Sequence, residues 1–298
     1  MGAVLTLNGI SKYYGSVRAL NNVSFEVPEG SVFGVLGPNG SGKTTLLSII
    51  LDVLKANKGN YLWFGHSGSP DQRKKIGSLL ETPNFYHYLS ALDNLKITQS
   101  ISERGTQADI DAVLQKVRLF ERRKSPFRTY SLGMKQRLAV AAALLGAPKV
   151  LVLDEPTNGL DPVGIAEIRE LIIELRNSGH TIIMASHLLD EVEKICTHVA
   201  ILKLGDVLTT GGVEDVLMDE DVVELSASDI NALANILRQL NKNVSVDNNL
   251  NVVQIIFPKG SAKLDEINNF CFRNGIVLNH LMLKKKRLEA RFFELTNN

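Results

Sequence analysis

Val32-Phe-Gly-Val-Leu36 runs directly into Gly37-Pro-Asn-Gly-Ser-Gly-Lys-Thr44, so a buried-strand pattern feeds a glycine-rich turn and then a helix from about Leu46. Such a turn is a phosphate cradle. Gly37, Gly40 and Gly42 tolerate φ > 0 and leave no side chain in the way, which lets the backbone N–H groups of Asn39 to Thr44 converge on one phosphate. Lys43 reaches the β- and γ-oxygens of a triphosphate, and Thr44 offers a hydroxyl to Mg²⁺. Thr45 and the helix start add donors and the positive end of a dipole. The expected nucleotide-binding set is therefore Gly37, Pro38, Asn39, Gly40, Ser41, Gly42, Lys43, Thr44 and Thr45, with Lys43 also assigned to catalysis. By chance the pattern arises in a chain of this length on the order of once in a hundred, so a plain glycine turn is the weaker reading.

Lys149-Val-Leu-Val-Leu-Asp-Glu-Pro156 has the pattern of a fully buried strand that ends in two carboxylates. Open parallel sheets present their ligand sites at the carboxyl ends of the strands. Asp154 suits Mg²⁺ through water, and Glu155 can orient the water that attacks a γ-phosphate. An Asp-Glu pair alone is more often a solvated turn; the apolar run before it and the phosphate loop upstream decide for a site.

Tyr130-Ser-Leu-Gly-Met-Lys-Gln-Arg-Leu138 opens an alanine-rich helix (Met134 to Leu145) upstream of the acidic strand. Asn158-Gly-Leu-Asp161 follows that strand, and Ala185-Ser-His187 ends the next one, Thr181 to Ala185. In this order the segments resemble the ATP-binding-cassette ATPases: phosphate loop, signature motif, acidic strand with its catalytic Glu155, D-loop and switch histidine. The resemblance covers about Val4 to Val216. It implies an α/β fold, a P-loop ABC-type nucleotide-binding domain with a parallel core sheet, an antiparallel β subdomain and a helical subdomain of about residues 84–146. It also implies ATP and Mg²⁺ as cofactors, and a homodimer with two ATPs sandwiched head to tail. Ser131 and Gly133 would close on the γ-phosphate held by the second ATPase subunit, and Asp161 would touch that subunit across the seam. His187 would contact the γ-phosphate and steady the water held by Glu155. Tyr13-Tyr14-Gly15, beyond a first strand around Leu5 to Leu7, matches the family's A-loop. Tyr14 would stack on adenine, contributing about 1 kcal/mol, with Val17 as an apolar wall.

Where most cassettes carry a magnesium-binding glutamine, this chain has Gly77-Ser-Leu-Leu-Glu81-Thr-Pro83. Glu81 would bind the cation more strongly than an amide while repelling the γ-phosphate. With Phe85-Tyr-His-Tyr88 and Ala91-Leu-Asp-Asn-Leu95, this stretch resembles the bacitracin and lantibiotic self-protection exporters. The signature departs as well, with Tyr130 at its usual leucine, Leu132 at its first glycine and Met134 at its glutamine. Ser131 and Gly133, which carry the phosphate contacts in the family, remain.

Length and composition fit a globular protein of about two domains: 298 residues, 44% hydrophobic and 22% charged. Lys and Arg number 33 against 32 Asp and Glu, a net +1, so no nucleic-acid partner is expected, and Lys284-Lys-Lys-Arg287 reads as a solvated cluster. Two cysteines, Cys196 and Cys271, form neither a disulfide framework nor a metal spacing. The start of the chain shows no basic-then-apolar leader, and the longest apolar stretch, Leu138 to Leu153, is broken by Gly146, Pro148 and Lys149. A chain that does not span a membrane is expected. If it drives transport, a separate transmembrane permease must supply the pathway, with this chain cytoplasmic and peripheral on the inner face of the membrane.

Ala91 to Leu119 shows helical spacing, the expected transmission to the permease, with Phe85, Tyr86 and Tyr88 either an exposed docking group or local packing. The expected domains are residues 1–218, the nucleotide-binding domain, and 219–298, a small α+β module. In the latter, Val222 to Leu225, a short strand near Val244 to Val246, Val252 to Phe257 and Ile276 to Leu283 alternate with two helical patterns. That βαββαβ order suggests a ferredoxin-like module. Leu288 to Thr296 resembles the closing helix of cassette proteins that work with separate exporter permeases. Together these features read as the ATP-hydrolysing subunit of a multi-chain ABC exporter, with peptide antibiotic or drug efflux as its class. The alternative is a soluble ABC ATPase that remodels a protein or nucleic-acid complex. A P-loop kinase is a third reading, but it has no use for the signature stretch or His187.

Overall fold

The computed structural model describes residues 2–80, 84–217, 220–240, 243–247, 250–258, 260–284 and 292. Glu81, and the closing stretch from Leu288 to Thr296 apart from Phe292, lie outside the described residues. The chain divides into two compact units, Met1–Val213 and Glu214–Asn298. In order, the first contains β1 (Ala3–Tyr14), β2 (Val17–Pro28), β3 (Val32–Leu36), α1 (Lys43–Ile50), β4 (Lys58–Trp63), β5 (His66–Ser67), α2 (Pro70–Arg73) and β6 (Ile76–Leu79). It continues through α3 (Ala91–Ser102), α4 (Gln107–Lys116), α5 (Leu132–Leu144), β7 (Val150–Asp154), α6 (Pro162–Asn177), β8 (Thr181–Ser186), α7 (Leu189–Ile195), β9 (His198–Lys203) and β10 (Asp206–Gly212). A short α8 (Val213–Leu217) lies at the division between the units.

One sheet has the order β10-β9-β3-β8-β7-β6, parallel except for the β10 edge. Every residue of β3, β7 and β8 is buried, as continuous aliphatic runs covered on both faces require. The second sheet, β2-β1-β4-β5, is antiparallel and packs Leu5, Leu7, Ile10 and Trp63 into the same core as Phe33 and Leu46. β1 runs on to Tyr14 instead of ending near Leu7, because register shifts after Leu7 and Ile10 break the alternation that marks a strand in sequence.

α5 begins at Leu132 rather than Met134, capped by the Ser131 hydroxyl, which accepts from Met134 N–H at 3.2 Å. The two helical stretches between the nucleotide motifs are α3 and α4, and Thr106 and Asp109 form a reciprocal capping box at the start of α4.

The second unit holds β11 (Glu220–Ala227), α9 (Ile230–Leu240), β12 (Val244–Asp247), β13 (Val252–Pro258), α10 (Leu264–Arg273) and β14 (Leu278–Lys284). Its antiparallel sheet has the order β12-β13-β11-β14, the ferredoxin-like arrangement of a βαββαβ chain. Val223, Leu225, Val253 and Ile255 form its core with Leu233, Leu237, Ile267 and Cys271 of the helices. Glu224, alternate in β11, accepts from Lys284 Nζ at 2.8 Å and Gln254 Nε2 at 3.1 Å. The Lys284 bond, then that of Gln254, holds this carboxyl below the usual carboxylate range. Lys284, itself exposed, is bonded to the sheet through this carboxylate; Lys285 to Arg287 lie outside the described residues.

Gly77 of β6 sits where a Cβ would overlap the carbonyl of Ala143 in α5. That close approach sets the spacing between the sheet edge and the signature helix. Gly77→Ala should lower stability in chemical denaturation by about 1–3 kcal/mol; an unchanged midpoint would contradict the close packing.

Candidate functional site

Three strands that lie side by side deliver the chemistry. Leu36 of β3 pairs with Ser186 of β8, and Asp154 of β7 with Ala185, so three loops leave one edge of the sheet at the same level. The loop after β3 wraps Lys43, whose ammonium donates to the Gly37 carbonyl at 2.9 Å and to the Pro38 carbonyl at 3.3 Å. Lys43 is 6% exposed, a buried cation held by carbonyl oxygens and by Glu155 Oε1 at 3.4 Å.

Glu155 takes the left-handed conformation, φ 48°, which a side-chain-bearing residue adopts at a cost. Its N–H donates to Ala185 O at 3.1 Å, and Asn158 N–H donates to its carbonyl at 3.1 Å. The reversed backbone sets the Glu155 carboxylate between Lys43 and His187, with His187 Nδ1 at 2.8 Å from Oε2. A carboxylate held by a lysine on one oxygen and an imidazole on the other is fixed in place at the cleft, where it can orient a water.

An open cleft of about 480 Å³ adjoins these groups. The loop side is formed by Asn39, Gly40, Gly42, Lys43, Thr44 and Thr45, and the acidic side by Glu155, Asn158 and His187. Gly42 caps α1 with φ 105°, and a Cβ there would stand 2.5 Å from Ala19 O. Gly37 does not have positive φ; it is glycine because a Cβ would overlap Ser41 Oγ and Leu202 O. α1 starts at Lys43, so the dipole's positive end is nearer the cleft than a start at Leu46 would place it.

Residues 20–158 match the family model described as ABC transporter. The chain is 31% identical over 303 residues to the bacitracin transport ATP-binding protein BcrA of Enterococcus faecalis, covering 99% of this chain and 97% of that protein. The chain belongs to the ABC transporter ATP-binding proteins. The lantibiotic transport ATP-binding protein SrtF of Streptococcus pyogenes is 40% identical over 205 residues, 69% of this chain and 89% of that protein. A solved structure of cbiO1 from Clostridium perfringens, part of the ABC transporter complex cbiONQ, superposes with a TM-score of 0.66 at 29% identity, covering 72% of this chain and 91% of that one. The fold is thus the ABC cassette, and the cassette is an ATP-binding ATPase subunit of a transporter.

Within this cassette, Val17 lines the cleft, while Tyr14 lies outside its lining, 47% exposed, with Lys12 Nζ 5.2 Å from its ring centroid. Ser41 is buried beneath the loop, and its hydroxyl has no hydrogen-bond partner among the described residues. Asp154 is buried at the end of β7, whereas Thr44 borders the cleft. Ser131 and Gly133, at the start of α5, and Asp161, which caps α6 by accepting from Gly164 N–H at 2.7 Å, stand outside the cleft of their own chain. Of the three aromatics Phe85, Tyr86 and Tyr88, Phe85 packs edge-on against Phe127 at 5.2 Å, and Tyr86 and Tyr88 are exposed.

Arg18, Ala19 and Leu204 also line the cleft, and no motif in the sequence announces them. Only the glycine of Leu204-Gly205-Asp206 marks that segment as a turn. Gly42→Ala should weaken ATP binding by at least about tenfold in equilibrium titration, through left-handed strain and the clash with Ala19 O; parental affinity would show that the loop does not need this conformation.

Proposed function

We propose that two copies of this chain bind two ATPs head to tail and hydrolyse them to drive a separate membrane permease that exports a peptide antibiotic or drug. The observation that carries the reading is Glu155 held between Lys43 and His187 at the mouth of the phosphate loop. In this reading the amides of Asn39 to Thr45 and Lys43 hold the β- and γ-phosphates. Glu155 orients and deprotonates the attacking water, and His187 steadies that water and the γ-phosphate.

Thr44 and Asp154 fit a magnesium ion. Such an ion keeps several waters and takes one or two protein oxygens plus phosphates, so a hydroxyl and a carboxylate suffice without a larger acidic cluster. Among the described residues no group of three or more His, Cys, Asp or Glu is placed to hold a metal. Glu81 would supply a further oxygen by resemblance. When bound, the ion neutralises charge that develops on the phosphates.

The place of Ser131 and Gly133 outside their own cleft supports their use on the ATP of a second copy. Ser131 accepts from Met134 N–H through its oxygen, which leaves its O–H for a phosphate. Asp161 would meet that copy across the seam, and Tyr14 would turn onto adenine beside Val17. No helix among the described residues is long and apolar enough to cross a membrane, which supports a permease supplied by another chain, with this subunit bound to it at the cytoplasmic face. Exposed Tyr86 and Tyr88 on the helical subdomain, about residues 84–146, are the docking candidates. The names of BcrA and SrtF, bacitracin and lantibiotic transport ATP-binding proteins, support the cargo class. The alignment with BcrA over 99% of this chain takes in the module of about residues 219–298, which supports a role shared with that exporter subunit.

Glu155→Gln should keep ATP affinity while steady-state phosphate release falls by roughly two to four orders of magnitude. Turnover at the parental rate would remove Glu155 from the chemistry.

A further inference from the structure

The cleft has a wall that the phosphate machinery does not use. Beyond the loop and the acidic groups, its lining consists of Val17, Arg18 and Ala19 of the β1–β2 hairpin and Leu204 of the turn between β9 and β10. That turn is bonded to both sides of the site. Gly205 N–H donates to Ser41 O of the phosphate loop at 3.1 Å, and Asn21 N–H donates to Gly205 O at 2.9 Å. Asp206 accepts from Arg18 Nη2 at 3.0 Å through one oxygen and from Asn21 Nδ2 at 2.6 Å through the other. Gly205, φ 87°, is packed so closely that a Cβ would lie 2.8 Å from Ala19 O.

Leu204 is the anomaly. It takes the left-handed conformation at φ 49° and is 70% exposed. Two successive positive φ values are what a tight hairpin turn needs, and Asn-Gly is the pair that adopts them at least cost. A leucine there bears both strain and exposed apolar surface, and the residue borders the cleft.

We infer that Leu204–Asp206 is a clamp for the nucleoside half of the ligand: Leu204 joins Val17 as an apolar wall, and Asp206 is a positioning residue that holds Arg18 along the cleft. The inference rests on the reading of the cleft as an ATP site. With the phosphates on the loop, the remaining lining faces ribose and base. Asp206 fixes Arg18 against the turn with two bonds from β2, so the hairpin that carries Tyr14 and Val17 keeps its distance from the phosphate loop. The support of the phosphate loop itself comes from the backbone of Gly205, which Asp206→Ala leaves in place.

The test uses the full chain and two probes, ATP and inorganic tripolyphosphate, which has no nucleoside. Asp206→Ala should raise the KM for ATP roughly three- to tenfold with kcat at saturation retained. Its affinity for tripolyphosphate should stay within about twofold of the parent. Arg18→Ala should raise KM similarly, and the double variant by less than the product of the two effects, since both remove the Arg18–Asp206 contact. Leu204→Asn should leave the unfolding temperature unchanged or higher, because Asn relieves the turn, and yet raise the KM for ATP roughly two- to fivefold.

An ATP affinity indifferent to Asp206→Ala and Leu204→Asn would overturn the clamp. So would a parallel loss of tripolyphosphate, which would make the turn a prop for the phosphate loop alone. A parent chain that binds tripolyphosphate but not ATP would instead overturn the nucleotide reading on which the clamp rests.

Discussion

The register of three buried parallel strands is the constraint on which the site depends. β3, β8 and β7 have no exposed residue, so each must keep its place against neighbours on both faces. Leu36 opposite Ser186, and Ala185 opposite Asp154, then fix where the Gly37–Thr44 loop, the Asp154–Glu155 pair and His187 leave the sheet. A slip of one residue would carry Glu155 away from Lys43 and turn buried side chains to the wrong face. Glu155 adds the second requirement. Its left-handed backbone is affordable because Ala185 O and Asn158 N–H hold it from both sides.

The helical region has its own route to the signature turn. Phe127, 1% exposed, anchors the segment before the signature turn; its N–H donates to Leu89 O at 2.8 Å, and Arg128 N–H donates to His87 O at 3.0 Å. Tyr130 closes this segment by donating its hydroxyl to Arg122 O at 2.7 Å, one residue before Ser131. The strip that carries Tyr86 and Tyr88 is thus bonded to the strip that leads into α5. A displacement of the tyrosine surface would be passed to the helix start at Ser131 through rigid backbone bonds rather than through flexible side chains.

What could be read from sequence follows from how each feature is encoded. Buried parallel strands write contiguous apolar runs, and a phosphate loop writes its glycines in one stretch, so β3, β7, β8 and the loop were legible with the carboxylates and His187 that end them. The second unit was legible because α9 and α10 bury one stripe at helical spacing, with Leu233, Leu237, Ile267 and Cys271 inside. β1 was misjudged in length because its bulges hide the alternation beyond Leu7. Gly37 reads in sequence as a conformational need, whereas in the fold it is a matter of space against Ser41 and Leu202. Phe85 reads in sequence with its neighbouring tyrosines, although the ring it packs against, Phe127, lies far along the chain. Arg18 and Leu204 were missed for the same reason: the cleft wall they share joins segments nearly two hundred residues apart, and only the folded sheet brings them together.

In the proposed function the amides after β3 grip a triphosphate in cis while the start of α5 grips one in trans. Hydrogen exchange of the full chain, with and without magnesium and a non-hydrolysable ATP analogue, tests both halves. Slowed exchange at residues 38–46 at every protein concentration is the predicted result, with slowing at residues 131–135 that fades on dilution. Unchanged exchange at residues 38–46 under saturating analogue would contradict the account, and protection of residues 131–135 that persists in an isolated monomer would contradict the paired site.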